Sequence, residues 1–247
     1  MVEPRIIYED KNFLVLDKPA GLLVHQVRIS NIERQRPEEP TLVDWLLEKY
    51  PELEGVGDSP ELRPGIVHRL DRATSGVMLI AKNNQYFYYL KSLFKERKIK
   101  KYYLALVLGL MKNKKGIIDQ PIGIKTGTIK RTSFSDKMKK EAVTRYELIE
   151  RLESSIGEFS LLKIFPETGR THQIRVHLAG IGHPVVGDPI YGGARNKKLL
   201  GILGKIRLML HAISLDFSLS PGKRIKIESP TPPNFVTVIS KIKSKRR

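Results

Sequence analysis

The sequence predicts an α+β fold. Strand-like and helical stretches follow one another along the 247 residues without the regular alternation that builds a doubly wound sheet. Apolar residues make up 40% of the chain, enough at this length to bury a real core. Gly and Pro are spread along it, and no internal repeat or low-complexity block appears before the last seven residues.

The first element expected is a strand over Ile6–Asp17, ended by Lys18-Pro19-Ala20-Gly21. Residues 26–40 are polar and contain Pro, so a loop is expected there. Thr41 is placed to cap a helix over Leu42–Tyr50, with Leu42, Trp45, Leu46 and the stem of Lys49 on one face. A second helix is expected over Gln85–Lys98, with Phe87, Leu90, Leu93 and Phe94 as its apolar stripe. Strand patterns follow over Tyr102–Leu108, Ala142–Glu150 and Ser160–Phe165, and residues 112–140 look like an exposed hairpin or excursion rich in Lys. A helix from Thr171 would bury Ile174, Leu178 and Ile181 and stop at Gly180 and Gly182. Lys241–Arg247 holds five basic residues and reads as a solvated, mobile arm. The organisation expected is one catalytic domain over residues 1–240 and a basic tail over 241–247.

Charge narrows the function. Lys and Arg total 44 against 26 Asp and Glu, a formal charge of +18. Such an excess favours a polyanionic partner, nucleic acid or an anionic membrane surface. The membrane reading is weak: the longest markedly apolar run, Tyr102–Met111, is half the ~20 residues needed to cross a bilayer. A membrane-surface protein would need an amphipathic basic helix with bulky apolar residues, and none is found beyond the short tail. With no cysteine there is no disulfide, thiolate nucleophile or Cys-ligated zinc. The start, Met1-Val2-Glu3-Pro4-Arg5, lacks the order of a signal peptide, so the cytoplasm is the default compartment.

Three stretches could carry chemistry. In His68-Arg69-Leu70-Asp71-Arg72-Ala73-Thr74-Ser75-Gly76 a carboxylate sits among cationic side chains before a small-residue turn. The order differs from the His-Arg-Asp of a kinase loop, and no Gly-rich loop accompanies it. The plainer reading is a structural Asp satisfied by turn amides. Thr168-Gly169-Arg170-Thr171-His172-Gln173-Ile174-Arg175-Val176-His177 puts His172 and Arg175 on one helical face. Its plainer reading is a helix start with a solvated polar face. His172 and His177 are five apart without an intervening Glu, the wrong spacing for a zinc helix, so no metal is expected. Lys101-Tyr102-Tyr103-Leu104-Ala105-Leu106-Val107-Leu108-Gly109, taken alone, is an ordinary strand.

Together, and in this order, these stretches resemble the RluA/RluD-like RNA pseudouridine synthases. The likeness runs from Ile6 to Phe235 and adds Gly182-His183-Pro184, Gly187-Asp188-Pro189-Ile190-Tyr191-Gly192 and Leu210-His211-Ala212. The resemblance implies a mixed, largely antiparallel sheet with flanking helices and a central active cleft. It places the essential aspartate on Asp71, the active-site tyrosine on Tyr103 and the aspartate's basic partner on Arg175. Arg69, Arg170, His172 and Gln173, within the same signatures, are expected to contact RNA. The chain departs from many relatives at Leu208, where Gln is common, and at Ser220, where His is common. It also begins at the catalytic region without an S4-type RNA-binding module, which leaves target recognition to the domain and its basic surface.

The implied reaction breaks the N1–C1′ bond of uridine, turns the uracil and joins C5 to C1′, with no redox change and no cofactor. A base buried in a duplex must be flipped out to be reached. Asp71 must be ionised to act as nucleophile or base, and the Arg175 guanidinium would favour that form. Tyr103 would pack on the uracil. Attack at C1′, attack on the ring and removal of a sugar proton all remain open. An RNA glycosylase would need a similar site, so the isomerase outcome rests on the resemblance, as does the choice of large-subunit (23S) ribosomal RNA over transfer RNA. The competing class is a catalytically silent RNA-binding protein of ribosome assembly, which has no need of the Asp71, Tyr103 and Arg175 set. A monomer with RNA as its partner is expected.

Overall fold

The computed structural model describes residues 3–26, 39–124, 131–133, 138–220 and 222–245. Its elements, in chain order, begin with β1 (Arg5–Glu9), β2 (Phe13–Lys18), α1 (Leu42–Lys49), β3 (Ser75–Ala81) and α2 (Asn84–Lys95). There follow β4 (Lys100–Leu108), β5 (Lys115–Asp119), β6 (Gly123–Ile124), β7 (Arg131–Thr132), β8 (Val143–Ser154) and β9 (Gly157–Pro166). The last are α3 (Gln173–Gly180), α4 (Gly193–Leu203), β10 (Leu210–Ser220), β11 (Lys223–Glu228) and α5 (Pro233–Lys243). The chain divides into two compact units, Met1–Ile99 with Leu215–Ser229, and Lys100–Ser214 with Pro230–Arg247.

In the first unit the strand expected over Ile6–Asp17 is a hairpin. The chain reverses at Asp10, whose Oδ1 accepts from the Asn12 and Phe13 amides at 2.8 and 3.0 Å. This Asx turn substitutes side-chain bonds for the ladder and ends the first strand. β2 then pairs antiparallel with β3, from Phe13↔Ala81 to Lys18↔Gly76. Every residue of β3 is buried, and Phe13, Leu14, Leu16, Met78 and Ile80 form the core with Phe217, which meets Phe13 edge-on at 5.8 Å. Such side chains contribute roughly 1.5–3 kcal/mol each when taken from water.

The helices of this unit follow their caps. Thr41 and Asp44 close a capping box: the Thr41 hydroxyl accepts from the Asp44 amide, and the Asp44 carboxylate accepts from the Thr41 amide at 2.7 Å. α2 starts at the Asn83 cap and buries Phe87, Leu90 and Leu93. It stops at Lys95, three residues before the expected end, because Arg97 takes a left-handed φ of 58° and Lys98 donates back to the Leu93 carbonyl.

In the second unit β4, β9, β8 and β5 lie side by side, each pair antiparallel. β8 and β9 form a long hairpin closed at Ser154↔Gly157, with Gly157 at φ 138°. Part of the stretch expected as an exposed excursion is sheet: Lys115–Asp119 pairs with β8 as its edge strand. Residues 125–130 and 134–137 of that stretch lie outside the described residues. The two units share β10, whose residues up to Ser214 belong to the second and from Leu215 to the first. The expectation of an α+β fold with a largely antiparallel sheet holds.

The end of the chain differs from expectation. Lys241–Lys243 close α5, Ile242 is fully buried, and the Ser155 amide and hydroxyl both donate to the Lys245 carbonyl, at 2.8 and 3.2 Å. Apolar Phe235, Val238 and Ile242 recur at spacings of three and four, and that periodicity carries the helix through the basic run. The mobile-arm reading is therefore corrected for residues 241–245. Residues 246 and 247 lie outside the described residues. No helix among the described residues is long and apolar enough to cross a membrane.

Candidate active site

Asp71 lies in the first unit, half-buried in the loop that enters β3. The loop is held by its backbone. The Gly21 amide donates to the Arg72 carbonyl at 2.8 Å, Arg72 Nε returns a bond to the Gly21 carbonyl at 3.0 Å, and the Thr74 amide donates to the Asp71 carbonyl at 3.0 Å. Beneath them Lys18 is fully buried, and its ammonium donates to the carbonyls of Pro19, Leu22 and Arg72 at 2.8, 2.8 and 3.2 Å. A charge this deep is tolerated because three oxygens replace its water. His68 braces the strand that follows, since its Nε2 accepts from the Leu79 amide at 2.9 Å and its ring stacks on Phe94. Arg69 is exposed.

The other candidates lie in the second unit. Tyr103 is half-buried on β4, opposite Ile164 of β9. α3 begins at Gln173, two residues later than expected, because His172 adopts a left-handed φ of 58° and caps the helix instead of joining it. The helix has no solvated polar face. Gln173, Arg175 and His177 are as buried as Ile174 and Leu178, and each polar group has a partner.

Gln173 satisfies all its hydrogen-bonding capacity within the protein. Its Oε1 accepts from the Thr168 hydroxyl and the Arg170 amide, and its Nε2 donates to the Val143 carbonyl and the Thr144 hydroxyl, at 2.6 to 3.0 Å. The expected RNA contact of Gln173 is corrected accordingly: an amide with four internal bonds holds the 168–173 loop on β8. His177 Nε2 bonds the Gln120 carbonyl at 2.8 Å, which makes it the protonated nitrogen, and Nδ1 accepts from the Thr144 hydroxyl at 2.9 Å. Burial pushes the His177 pKa down, against the opposing Gln120 carbonyl and the charge of Asp119, so the ring stays neutral.

Arg175 makes a two-point ion pair with Asp188: Nε reaches Oδ2 at 2.7 Å and Nη2 reaches Oδ1 at 2.9 Å, with both side chains almost wholly buried. Asp188 Oδ1 also accepts from the amides of Ile190 and Tyr191, at 2.8 and 3.0 Å. Burial opposes ionisation of Asp188, but Arg175 and the two amides outweigh it and hold the pKa below the usual carboxylate range. The Tyr191 ring lies 5.2 Å from the guanidinium carbon, and its hydroxyl meets His172 Nδ1 at 2.9 Å. Arg170 is half-buried and donates through Nε to the Glu141 carbonyl.

The sequence profile of the family described as RNA pseudouridylate synthase matches residues 12–180, a stretch that includes Asp71, Tyr103 and Arg175. The chain belongs to this family. The synthase is therefore an isomerase that converts uridine in RNA to pseudouridine. It is 42% identical to an uncharacterized RNA pseudouridine synthase of Aquifex aeolicus, over 95% of this chain and 72% of that protein. It is 36% identical to the ribosomal large subunit pseudouridine synthase D of Pseudomonas aeruginosa, over 99% of this chain and 73% of that protein. Among solved structures, human RNA pseudouridylate synthase domain containing 4 superposes with a TM-score of 0.72 at 27% identity, covering 96% of this chain and 92% of that one.

Asp188, Tyr191 and Lys18 went unassigned in the sequence. The signal for Lys18 is a lysine that follows the apolar run Phe13–Leu16 and Asp17, directly before Pro19. For Asp188 it is an acid three residues before an aromatic in a Gly-bounded turn, a pattern that suits an Asx turn.

Proposed function

We propose that the synthase modifies large-subunit ribosomal RNA and that Asp71 is its catalytic carboxylate. The observation that carries the second part is the His68–Gly76 signature, with Asp71 half-buried on a loop pinned at Gly21, Lys18 and Thr74. A carboxylate meant to meet one atom of a flipped nucleotide has to be held still, and this pinned backbone would do so. Tyr103 would stack on the uracil, and Arg175 would supply positive charge for the reaction. The RNA target is supported by relatives named ribosomal large subunit pseudouridine synthase D in Pseudomonas aeruginosa and Borreliella burgdorferi, the latter 38% identical over 95% of this chain. Arg69 and Arg170 would bind phosphates, and the enzyme would work in the cytoplasm.

Two measurements test the reading. Asp71→Asn keeps the shape of the side chain and removes its capacity as nucleophile or base, so tritium release from C5-labelled uridine RNA should vanish while RNA affinity persists. Turnover within about tenfold of wild type would take Asp71 out of its role. Mapping pseudouridine in cells with and without this gene tests the target. Positions lost from large-subunit ribosomal RNA support it, and losses confined to transfer RNA replace it.

A further inference from the structure

We infer that the open face of the β4–β9–β8 sheet, at Tyr102, Lys163 and Phe165, binds single-stranded RNA that flanks the target uridine. That this contact lies apart from the chemistry rests on the reading that Tyr103 faces the uracil.

Successive side chains of a strand point to opposite faces of its sheet. Tyr103 shares a face with Ile164, Tyr146 and Thr144, and α3 lies on that face, with Gln173 and His177 both bonded to Thr144. Tyr102, Lys163, Phe165, Arg145 and Ile117 fall on the other. α5 meets this second face toward the β8–β9 corner, where Lys243 pairs with Glu150. Away from that corner the face is open: Tyr102, Lys163 and Phe165 are half-buried and Ile117 is 56% exposed.

Tyr102 and Phe165 meet edge to face with ring centres 5.4 Å apart, and the Lys163 ammonium lies 5.0 and 5.5 Å from those two centres. Rings left partly in water on a sheet offer a stacking surface to an unpaired base, since every base has a π-face. A cation beside the rings then meets the phosphate that follows. Lys100 stands on the same face two residues before Tyr102, and Arg145 lies opposite Phe165. Glu147 is paired with Lys115, and Glu167 with Arg145. Lys100, Lys115, Arg145 and Lys163 thus outnumber Glu147, Glu167 and the strand-end Asp119, and the local charge has the sign of the whole chain's +18. Charge therefore favours a polyanion over a second copy of this basic chain. A duplex keeps its bases inside the stack, so the rings select a single strand.

The test uses the full chain and a 20-nucleotide oligocytidine RNA carrying 5-iodocytidine, which contains no uridine to enter the active site. A 20-base-pair RNA duplex is the control. Dissociation constants, thermal midpoints and the protein's own sedimentation are measured for wild type, Tyr102→Leu, Phe165→Leu and Lys163→Gln. Leucine keeps apolar bulk on the sheet and removes the ring. Each leucine variant should bind the single strand roughly tenfold more weakly, with duplex affinity within about twofold of wild type. Lys163→Gln should lower the salt slope for the single strand by about 0.7. Saturated single-turnover rates on tritium-labelled total RNA should stay within about threefold of wild type. Unchanged single-strand affinity in the leucine variants overturns the inference, and so does an equal loss for strand and duplex. A protein dimer that the variants dissociate while strand affinity holds would assign the face to a second copy and overturn it too. A saturated rate more than about tenfold down would overturn its separation from the chemistry. Should the variants not fold, photocrosslinking of the wild type decides: crosslinks are expected on Tyr102 or Phe165, and crosslinks confined to other residues sink the idea. Asp71→Asn runs in parallel, and turnover retained there would remove the active-site reading while leaving the oligocytidine result standing.

Discussion

Arg175 cannot be tested by simple removal. Asp188 is 0% exposed, and Arg175→Met would leave that carboxylate buried without its cation, a change that costs about 3–5 kcal/mol in comparable pairs. Loss of activity in such a variant would report folding as much as chemistry. His177 offers a cleaner single-residue measurement. Its pKa is lowered in the folded chain, chiefly by burial, so between that value and the ordinary histidine value of about 6.5 the unfolded chain binds a proton that the native one refuses. The unfolded state then holds more protons, and stability rises with pH across that window. The thermal midpoint should drop on going from about pH 7 to about pH 5, and His177→Gln should flatten the slope. Equal slopes in both proteins would mean another group is responsible. Asp71, Tyr103 and Arg175 were nameable as candidates because they sit in long signatures. Asp188 had no visible partner, because its ion pair joins residues 13 positions apart through a turn that no local periodicity encodes.

At the scale of elements, the Gly187 turn joins the site to the sheet. Gly187 has φ 77°, and a Cβ there would lie 2.0 Å from the Arg207 carbonyl oxygen, a backbone atom that cannot step aside. Gly187→Ala should therefore unseat the turn that carries Asp188, lowering the thermal midpoint and the saturated single-turnover rate together. A variant with unchanged midpoint and rate would show that the turn tolerates displacement. Helix existence was legible in the sequence where Thr41 met an apolar stripe and where Phe87, Leu90 and Leu93 recurred, although the Asn83 cap of the second helix was not read. Boundaries were less so. α2 stops early through a left-handed Arg97, and α3 starts late through a left-handed His172. Neither residue is a glycine, the type that adopts that conformation without cost. The β1–β2 reversal is marked only by the polar Asp10-Lys11-Asn12 between two strand-like runs, because Asp10 turns the chain with its side chain and without a glycine or proline.

For the whole molecule, the charge of +18 has a thermodynamic signature. Each phosphate neutralised adds roughly 0.7–0.9 to the slope of log affinity against log salt, so RNA binding should weaken steeply with KCl. α4 presents exposed Arg195, Lys197 and Lys198 and no acidic residue. Changing these three to Gln should reduce the slope by about two if they lie on the RNA. An unaltered slope would place the contacts elsewhere. The division into two units was not legible, because each is assembled from distant stretches and β10 is shared between them. Pairings across more than a hundred residues leave no local mark. The clamp between Ser155 and the Lys245 carbonyl has a practical side. The basic run suggests a natural place to trim the gene after codon 240, yet that cut would remove Ile242 from the buried face of α5, delete Lys243, the partner of Glu150, and take the Lys245 carbonyl from Ser155. Anything fused to this end of the polypeptide belongs after its last residue.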